Sequence, residues 1–547
     1  MSDTNQLPTP FLSSPRASLV RAALLLAVLV VAGFASLTRA DEFVDRVNAL
    51  YADVRADRRS DPIILAALAD LEEPPAFLDS QRGAAALPGQ RLGVGAGRGL
   101  GDRALAGRAA RSGSTASPKS RTPRRMLVFA QPYGLAELGS DSAQIEFIQA
   151  GLYTDLGDPP LLAAAQHLYL KQFDHLARLV HVEATRRLAE GDPAGSLEVL
   201  ADLIQFGRQI LDREFHAEKM WAITTMSLAS ERMRDVAYND MRSGGKLTPA
   251  QLTESIERLV DDRGPISIGR IRLPKGDFIA AEQLIATVME RRGSIRTELF
   301  ASTMARLEST ERPLRLFGEA ARWRDAAQSH VNWTGANQML EALRGDFEFR
   351  WTLSPFDPLM AQAFTIESVL ENSFARDRLA VVSRSIPDMR ELFAQRQILR
   401  TEILGTQNAL GLAAFHAQNQ RYPLDLSGIR PQYIKDVGID PFNPSVAEGR
   451  QPPLVFFVPV RDTADRFANQ PNTPPHVISI LVPDAPNVSI SLRADQFVLF
   501  SVGADGSGQW ADEAQNTYNA PPGRDYLIWP PVMSVVRDTL RDSGAFN

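Results

Sequence analysis

The sequence predicts a mainly α-helical domain followed by a small α+β domain at the C-terminal end. Two changes of pattern along the chain support this fold class. Between residue 145 and about residue 400, apolar residues recur every three or four positions, as on the buried face of a helix. After Tyr422 the chain changes to short apolar segments separated by Pro, Gly and Asn, as in strands joined by turns.

The composition excludes several kinds of site. The chain has 547 residues, and its formal net charge of −6 gives no general reason to expect nucleic-acid binding. It contains no cysteine, which excludes disulfides and every metal site that depends on thiolate ligands. Its length corresponds to about three or four domains of ordinary size.

The N-terminal residues predict export. Arg16 and Arg21 precede an apolar run of 16 residues at 22–37, and small residues follow it up to Ala40. This pattern is typical of a bacterial signal peptide, here residues 1–40. With the two apolar residues before it included, the run approaches the length of about 20 residues that spans a bilayer, so a retained membrane anchor is the alternative. In both cases we expect a protein of the cell envelope, on the periplasmic side, membrane-anchored or secreted.

Residues 41–79 are predicted to form a short helical segment, and a basic linker follows at 80–125. The linker holds ten Lys or Arg residues and one acidic residue, Asp102, among many Gly, Ala and Ser. With few large apolar side chains it cannot offset the entropy cost of ordering, so we expect disorder. An alternative role is contact with anionic lipid or with an anionic polymer such as that of the cell wall. The lack of aromatic residues argues against nucleic acid as the partner.

The helical domain is predicted at 126–394. Apolar positions at 176–188 indicate one helix, and Asp192 with Pro193 has the residue types that begin the next. Thr248-Pro249-Ala250-Gln251 predicts a capping box at the start of another helix.

The α+β domain is predicted at 395–515, with a C-terminal tail at 516–547. A helix at 399–420 comes first, and a small antiparallel sheet follows it. The predicted strands are 454–458, 477–482, 488–492 and 496–502.

Three short motifs follow one another in this domain. They are Tyr422-Pro423, then Asp440-Pro441-Phe442, and then Ser501-Val502-Gly503-Ala504-Asp505-Gly506. Pro423 ends the helix and leaves the Tyr422 ring free to pack across the sheet. Asp440 before a proline favours an Asx turn that directs Phe442 inward. In this order, the motifs resemble the globular domain of the major pseudopilin of type II secretion.

The resemblance implies a three-stranded sheet and a calcium-binding loop. Carried over to this chain, the calcium ligands are Asp505 and Asp512, and an ordinary Asp-Gly turn without calcium is the alternative. Residues 461–475 are an insertion relative to the family. Thr38 stands where the family has Glu, so prepilin-type processing is not expected. The whole arrangement also resembles uncharacterised envelope proteins of planctomycete-type bacteria.

No catalytic signature accompanies these motifs. The strongest candidate is Asp212 with His216 four residues later, beside Glu214 and Glu218, a set that could bind a metal or transfer a proton. A solvated helix face with intrahelical pairs explains the same residues. We therefore expect a non-enzymatic envelope protein that acts as a scaffold through protein–protein contact, in secretion or surface assembly. An exported hydrolase with its site in the helical domain is the alternative. The expected partners are other envelope proteins, and the membrane if the N-terminal segment is uncleaved.

Overall fold

The computed structural model describes most of the chain, but the predicted leader at 1–40 and the basic linker at 80–125 lie outside the described part. The described residues are 42–69, 127–135, 142–260, 270–291, 295–309, 316–361, 372–470, 472–481, 487–493, 495–502, 510–515 and 525–543.

The fold is mainly helical, as predicted, with 61% of the structure in helices and a small sheet near the C-terminal end. The α-helices of the described residues are α1 (42–48), α2 (Asp61–Ala69), α3 (Ser142–Gln149), α4 (Tyr169–Ala189), α5 (Pro193–Leu211), α6 (His216–Arg242), α7 (Pro249–Arg258), α8 (Lys275–Val288), α9 (Thr297–Ser309), α10 (Leu316–Ser329), α11 (Trp333–Trp351), α12 (Pro358–Ala361), α13 (Ser373–Arg378), α14 (Ala380–Ser385), α15 (Met389–Asn419) and α16 (Val532–Asp542).

Two helix starts confirm the predicted caps. The Asp192 carboxylate accepts the N–H of Gly195 at 2.8 Å, and Pro193 is the first residue of α5. At the start of α7, Thr248 Oγ1 accepts the N–H of Gln251 at 3.3 Å, and Gln251 Oε1 accepts the N–H of Thr248 at 3.0 Å. These bonds satisfy N–H groups that have no partner inside the helix. Both starts are therefore determined by local sequence.

The segment predicted as helical at 41–79 forms two short helices, α1 and α2, and its residues beyond 69 lie outside the described part. The chain just before α2 pairs with the chain that follows the basic linker. The N–H of Ser60 donates to the carbonyl of Val128 at 3.0 Å, and the N–H of Val128 donates to the carbonyl of Arg58 at 2.8 Å. Residues 58–60 and Val128 therefore lie side by side. The helical part of the structure, which we call the helical body, thus includes residues from before and after the linker.

The sheet has six strands in the spatial order β3-β6-β8-β7-β4-β5. In chain order, the two strands of a separate small ribbon and the six of this sheet are β1 (Thr154–Asp155), β2 (Gln166–His167), β3 (Val455–Phe457), β4 (His476–Leu481), β5 (Val488–Leu492), β6 (Val498–Ser501), β7 (Glu513–Gln515) and β8 (Asp525–Trp529). Strands β3 to β6 lie where four strands were predicted. In β4 the side chains alternate, with Ile478 and Ile480 buried and Val477 exposed, as a strand with one covered face requires.

The sheet has more strands than the four predicted from the sequence and the three implied by the resemblance, and the prediction of a wholly antiparallel sheet is wrong. Strand β7 pairs in parallel with β4 on one side and with β8 on the other, so the sheet is mixed. Strand β8 lies beyond residue 515, within the predicted tail, and the short helix expected at 532–541 is α16. All five residues of β8 are buried, and β8 is an inner strand of the sheet.

The helices and one face of the sheet share an apolar core, and the other face of the sheet forms a separate buried cluster with α16. A continuous cluster of buried side chains runs from Leu65 in α2 to Trp529 in β8. Gly405 in α15 allows β8 to approach closely, because a Cβ at this position would lie 2.7 Å from the Ile528 side chain. Helix α15, which begins at Met389, therefore belongs to both predicted domains. No helix in the described part of the chain is both long and apolar enough to cross a membrane.

Candidate functional site

A buried ion pair between Arg213 and Glu218 lies at the start of α6. Arg213 Nε donates to Glu218 Oε1 at 2.8 Å, and both side chains are 0% exposed. Glu218 is in the first turn of the helix, and its Oε2 accepts the N–H of Phe215 at 3.1 Å, as a glutamate at this position commonly does. Tyr133 donates its hydroxyl to Oε2 at 2.7 Å, and Tyr169 donates its hydroxyl to Oε1. Four donors therefore surround this carboxylate.

Three aromatic rings enclose the Arg213 guanidinium. Its Cζ atom lies 4.0 Å from the ring centroid of Tyr133, 4.7 Å from that of Tyr51 and 5.6 Å from that of Phe129. Its Nη1 donates to the carbonyl of Gln131 at 2.8 Å. Such cation–π contacts stabilise a desolvated cation by about 2 kcal/mol or more. Tyr51 precedes the basic linker and the other rings follow it, so this cluster ties the N-terminal segment to the body.

The charges in this cluster are balanced. Burial favours a higher pKa for Glu218, but the Arg213 charge, with His167 and the hydrogen bonds, outweighs burial and lowers it. Burial lowers the pKa of His167, whose Nδ1 lies 3.9 Å from Glu218 Oε1. Burial also raises the pKa of Tyr133 and Tyr169. Near neutral pH the cluster is thus one anion, one cation and neutral rings. Such a closed pair stabilises the fold and presents no carboxylate to a substrate.

The structure gives the predicted acids different partners. Asp212 Oδ1 lies 2.6 Å from Arg208 Nη1, within a helical i,i+4 ion pair. Glu214 Oε2 accepts the N–H of Lys275 at 3.0 Å. Burial lowers the pKa of the His216 ring. Of the predicted set, only Glu218 enters the buried cluster.

One buried acid near this site was not predicted. Asp277, in the first turn of α8, accepts the backbone N–H of His216 at 2.8 Å. Burial, aided by the Glu218 charge and opposed by the His216 N–H, raises the pKa of Asp277 to about 8. The signal in the sequence is an acid in the first turn after Pro274, a common position that does not by itself reveal burial. Gly276 permits the approach, since a Cβ there would lie 2.7 Å from the Glu214 carbonyl oxygen.

The structure describes one of the two predicted calcium ligands. Asp505 lies outside the described residues. Asp512 accepts two hydrogen bonds from Arg466, at 2.9 and 3.3 Å, and lies 3.6 Å from His476 Nε2. Arg466 comes from the predicted insertion at 461–475. Among the described residues, no three His, Asp or Glu side chains gather as a metal site would require.

We expect Arg466→Ala to increase the stabilisation that calcium gives to the protein. The guanidinium occupies the Asp512 carboxylate, so a cation that uses this carboxylate must displace it. A site freed in this way would add about 1.4 kcal/mol at a calcium concentration of about ten times the dissociation constant. Thermal unfolding with and without calcium measures the difference, and Arg450→Ala, which removes an exposed pair with Glu448, is the control. Equal calcium responses in the wild type, the variant and the control would contradict the prediction.

Two of the three motifs in the C-terminal domain meet at Asp440. Its carboxylate is 0% exposed and accepts the Ser501 hydroxyl at 2.7 Å, the N–H of Phe442 at 3.0 Å and the N–H of Val502 at 3.3 Å. The bond to Phe442 is the predicted Asx turn. The predicted packing of the Tyr422 ring is also confirmed. Its ring centroid lies 5.1 Å from that of Phe497, the residue before β6. Asp440 therefore joins two motifs that are 61 residues apart.

Replacing Asp440 by alanine is expected to lower the free energy of unfolding by about 2–3 kcal/mol, because two N–H groups and a hydroxyl lose a buried acceptor. Burial raises the pKa of Asp440, and its three donors partly offset this effect. Asp440→Asn keeps one acceptor oxygen and should cost less. Denaturant unfolding measures both variants. The control is Asp436→Ala, which removes an exposed turn bond to the N–H of Gly438. If Asp436→Ala lowered the free energy of unfolding as much as Asp440→Ala does, the role of Asp440 as a buried acceptor would be contradicted.

Comparison with known proteins adds no relative to this description. No protein-family model matches the chain, and neither a curated protein nor a solved structure is significantly similar to it.

Proposed function

We propose that this chain is a non-enzymatic protein of the bacterial cell envelope, exported or membrane-anchored, in which a pseudopilin-like module is fixed to a helical body and serves protein–protein contact in secretion or surface assembly. The observation that carries the proposal is the set of hydrogen bonds accepted by the Asp440 carboxylate. Two of the pseudopilin-like motifs give one buried carboxylate its three donors, which is a reason for these two to occur together in one chain.

The attachment of the module favours a scaffold. Glu402 in α15 accepts Arg234 Nη1 at 2.7 Å and the Tyr526 hydroxyl at 2.6 Å, so it links α6 to the inner strand β8. Glu402 and Arg234 are both 0% exposed. Breaking a buried pair of this kind costs about 3–5 kcal/mol, which resists movement of the sheet relative to the helices. A rigid support for a contact surface is what a scaffold needs.

The candidates for catalysis favour the same proposal over a hydrolase. Asp212 and Glu214 have separate partners, and the Arg213–Glu218 pair is closed to solvent. General acid–base catalysis needs a group within hydrogen-bond reach of a substrate atom. The described acids at the start of α6 instead accept hydrogen bonds from backbone N–H groups of the protein or form ion pairs with its arginine side chains.

Cell fractionation combined with N-terminal sequencing of the mature chain tests the proposal. We expect the protein in a membrane or periplasmic fraction, with its N-terminus either intact or at Asp41. A cytosolic chain with an intact N-terminus would overturn the envelope location. Substituting Arg16 and Arg21 by glutamate serves as a matched control, because it weakens the charge signal of the leader and changes no described residue.

A further inference from the structure

Strand β5 lies at one end of the sheet. It pairs with β4, and no strand of the described residues lies on its other side. A strand at the end of a sheet presents unpaired N–H and C=O groups, and another strand can pair with them. The opposite end is less suited to such pairing. Strand β3 has three residues, and the Asp462 carboxylate accepts the N–H of Val458 directly after it.

The backbone groups of Ser489 and Ser491 face outward from the sheet. The N–H of Ser479 in β4 donates to the carbonyl of Asp512, on the side of β7. In an antiparallel ladder, pairs of residues that bond each other alternate with pairs whose backbone groups point apart. Ser489 is opposite Ser479, so its N–H and C=O groups point away from β4, and those of Ser491 do the same two residues later. We call these outward groups the β5 edge.

The β5 edge ends at Arg493. The N–H of Arg493 donates to Gln496 Oε1 at 3.1 Å, and its carbonyl accepts the N–H of Gln496 at 3.1 Å. These groups are occupied within the chain and cannot pair with another strand. The open part of the edge is therefore short and centred on Ile490.

The two faces of β5 differ in what covers them. Val488 and Leu492 are buried in the cluster with α16, and Ile490 is half-buried against it. The other face carries exposed side chains, those of Ser489 and Ser491 and, beside them in β4, Val477. A strand that pairs with the β5 edge would therefore extend both an apolar face and a polar face.

The order of residues in β5 is symmetric about Ile490, with a serine on each side and an apolar residue beyond each serine. In an antiparallel pair of two copies centred there, Ile490 faces its own copy, and each serine faces a serine. Apolar pairs and hydroxyl pairs of this kind stabilise neighbouring strands. Strand β5 has no charged side chain, so no like charges meet across the two-fold axis. In the same register, the outward groups of Ser489 bond those of Ser491 in the copy.

We propose that β5 pairs with β5 of a second copy of this chain, antiparallel and centred on Ile490, so that the two sheets become continuous. Such a contact uses the same surface on both copies and closes on itself, which gives a dimer rather than a fibre. Pairing of two short strands is a small contact beside the roughly 1,200–2,000 Å² of a stable interface, so we expect the dimer to be reversible. The inference goes beyond the proposed function and does not depend on the envelope location.

Disulfide cross-linking tests this register in the full chain, which contains no cysteine of its own. Ile490→Cys places two thiols opposite each other with Cα atoms about 4.5 Å apart, within the range that a disulfide spans. Val477→Cys, at an exposed position one strand further in, is the matched control. Its two copies would be three strand spacings apart, or about 14 Å, which is too far. After mild oxidation, we expect a cross-linked dimer for Ile490→Cys and none for Val477→Cys on a non-reducing gel. Equal cross-linking of both variants, or none of Ile490→Cys, would overturn the proposal.

Paired charges at two exposed positions give a second test that leaves the core unchanged. Ser489→Lys with Ser491→Lys places lysine opposite lysine across the two-fold axis, whereas Ser489→Lys with Ser491→Glu places lysine opposite glutamate. Sedimentation velocity of the full chain in detergent micelles measures the dissociation constant of the dimer. We expect it to rise about tenfold for the Lys–Lys variant, because like charges opposite each other destabilise a strand pair, and not to rise for the Lys–Glu variant.

Ser302→Lys with Ser329→Lys is the control, since both serines are exposed on other helices and the change of charge is the same as in the Lys–Lys variant. Its dissociation constant should equal that of the wild type. A wild-type chain that stays monomeric at every concentration would overturn the proposal and leave the β5 edge to an extended segment of another protein. Equal constants for the wild type and both edge variants would place the contact elsewhere. A Lys–Glu variant as weak as the Lys–Lys variant would reject the antiparallel register.

Discussion

Glu218→Gln is expected to lower the free energy of unfolding by about 3–5 kcal/mol, because it leaves a buried arginine without its counter-charge. The Arg213 guanidinium is 0% exposed, and beside its carbonyl acceptor and the aromatic rings it would retain at most one neutral amide oxygen. The new amide group also places a donor where the carboxylate accepts Phe215 N–H or Arg213 Nε–H. Denaturant unfolding followed by circular dichroism measures the loss.

The pH dependence of stability provides an independent check on this pair. The pKa of Glu218 is lower in the folded chain than its ordinary value, so its stabilising contribution is present above the unfolded pKa and lost as the pH falls through the folded pKa. The difference in stability between wild type and variant should therefore shrink in acid. Glu198→Gln, on an exposed position of α5, is the control and should change stability by about 0.5 kcal/mol or less. A difference between wild type and Glu218→Gln that stays constant with pH would contradict the assignment.

The elements that could be predicted from the sequence depend on contacts between residues that are close in the chain. Asp192 and Thr248 bond to N–H groups three residues away, so their residue types alone predict helix starts. The alternation in β4 is also local. By contrast, all five residues of β8 are buried, so this strand shows no alternation of exposed and buried positions. Its pairing with β6 and β7 is determined by the path of the whole chain.

The buried cluster could not be predicted for a related reason. Glu218 stands with Glu214 and His216 in a pattern that is typical of a solvated helix face. Its partner Tyr133 is 85 residues away in the chain. Arg234 and Glu402, 168 residues apart, pose the same difficulty. A charged residue on a helix is exposed in most proteins, so only the tertiary contact reveals that it is buried.

Asp235→Asn is expected to lower the free energy of unfolding by about 3–5 kcal/mol and to release α16 from the body. The Asp235 carboxylate is 0% exposed and accepts hydrogen bonds from Arg232, from both terminal nitrogens of Arg537 and from Ser534. Burial and the neighbouring Arg537 charge lower the pKa of Arg232 to about 10. Without the carboxylate, two largely buried cations would face each other across α6 and α16.

Hydrogen exchange followed by mass spectrometry locates the effect. Faster exchange is expected in α16 and β8, since α16 follows β8 directly, while the caps of α5 and α7 should be unaffected. Asp538→Asn is the matched control, because it removes an exposed pair with Arg242 on the same two helices and should cost about 1 kcal/mol or less. The double variant with Arg537→Gln should lose less than the sum of the single losses, because the second change removes one of the unpaired cations. Additive losses, or exchange in α16 no faster than in the control, would show that Asp235 does not hold the C-terminal helix in place.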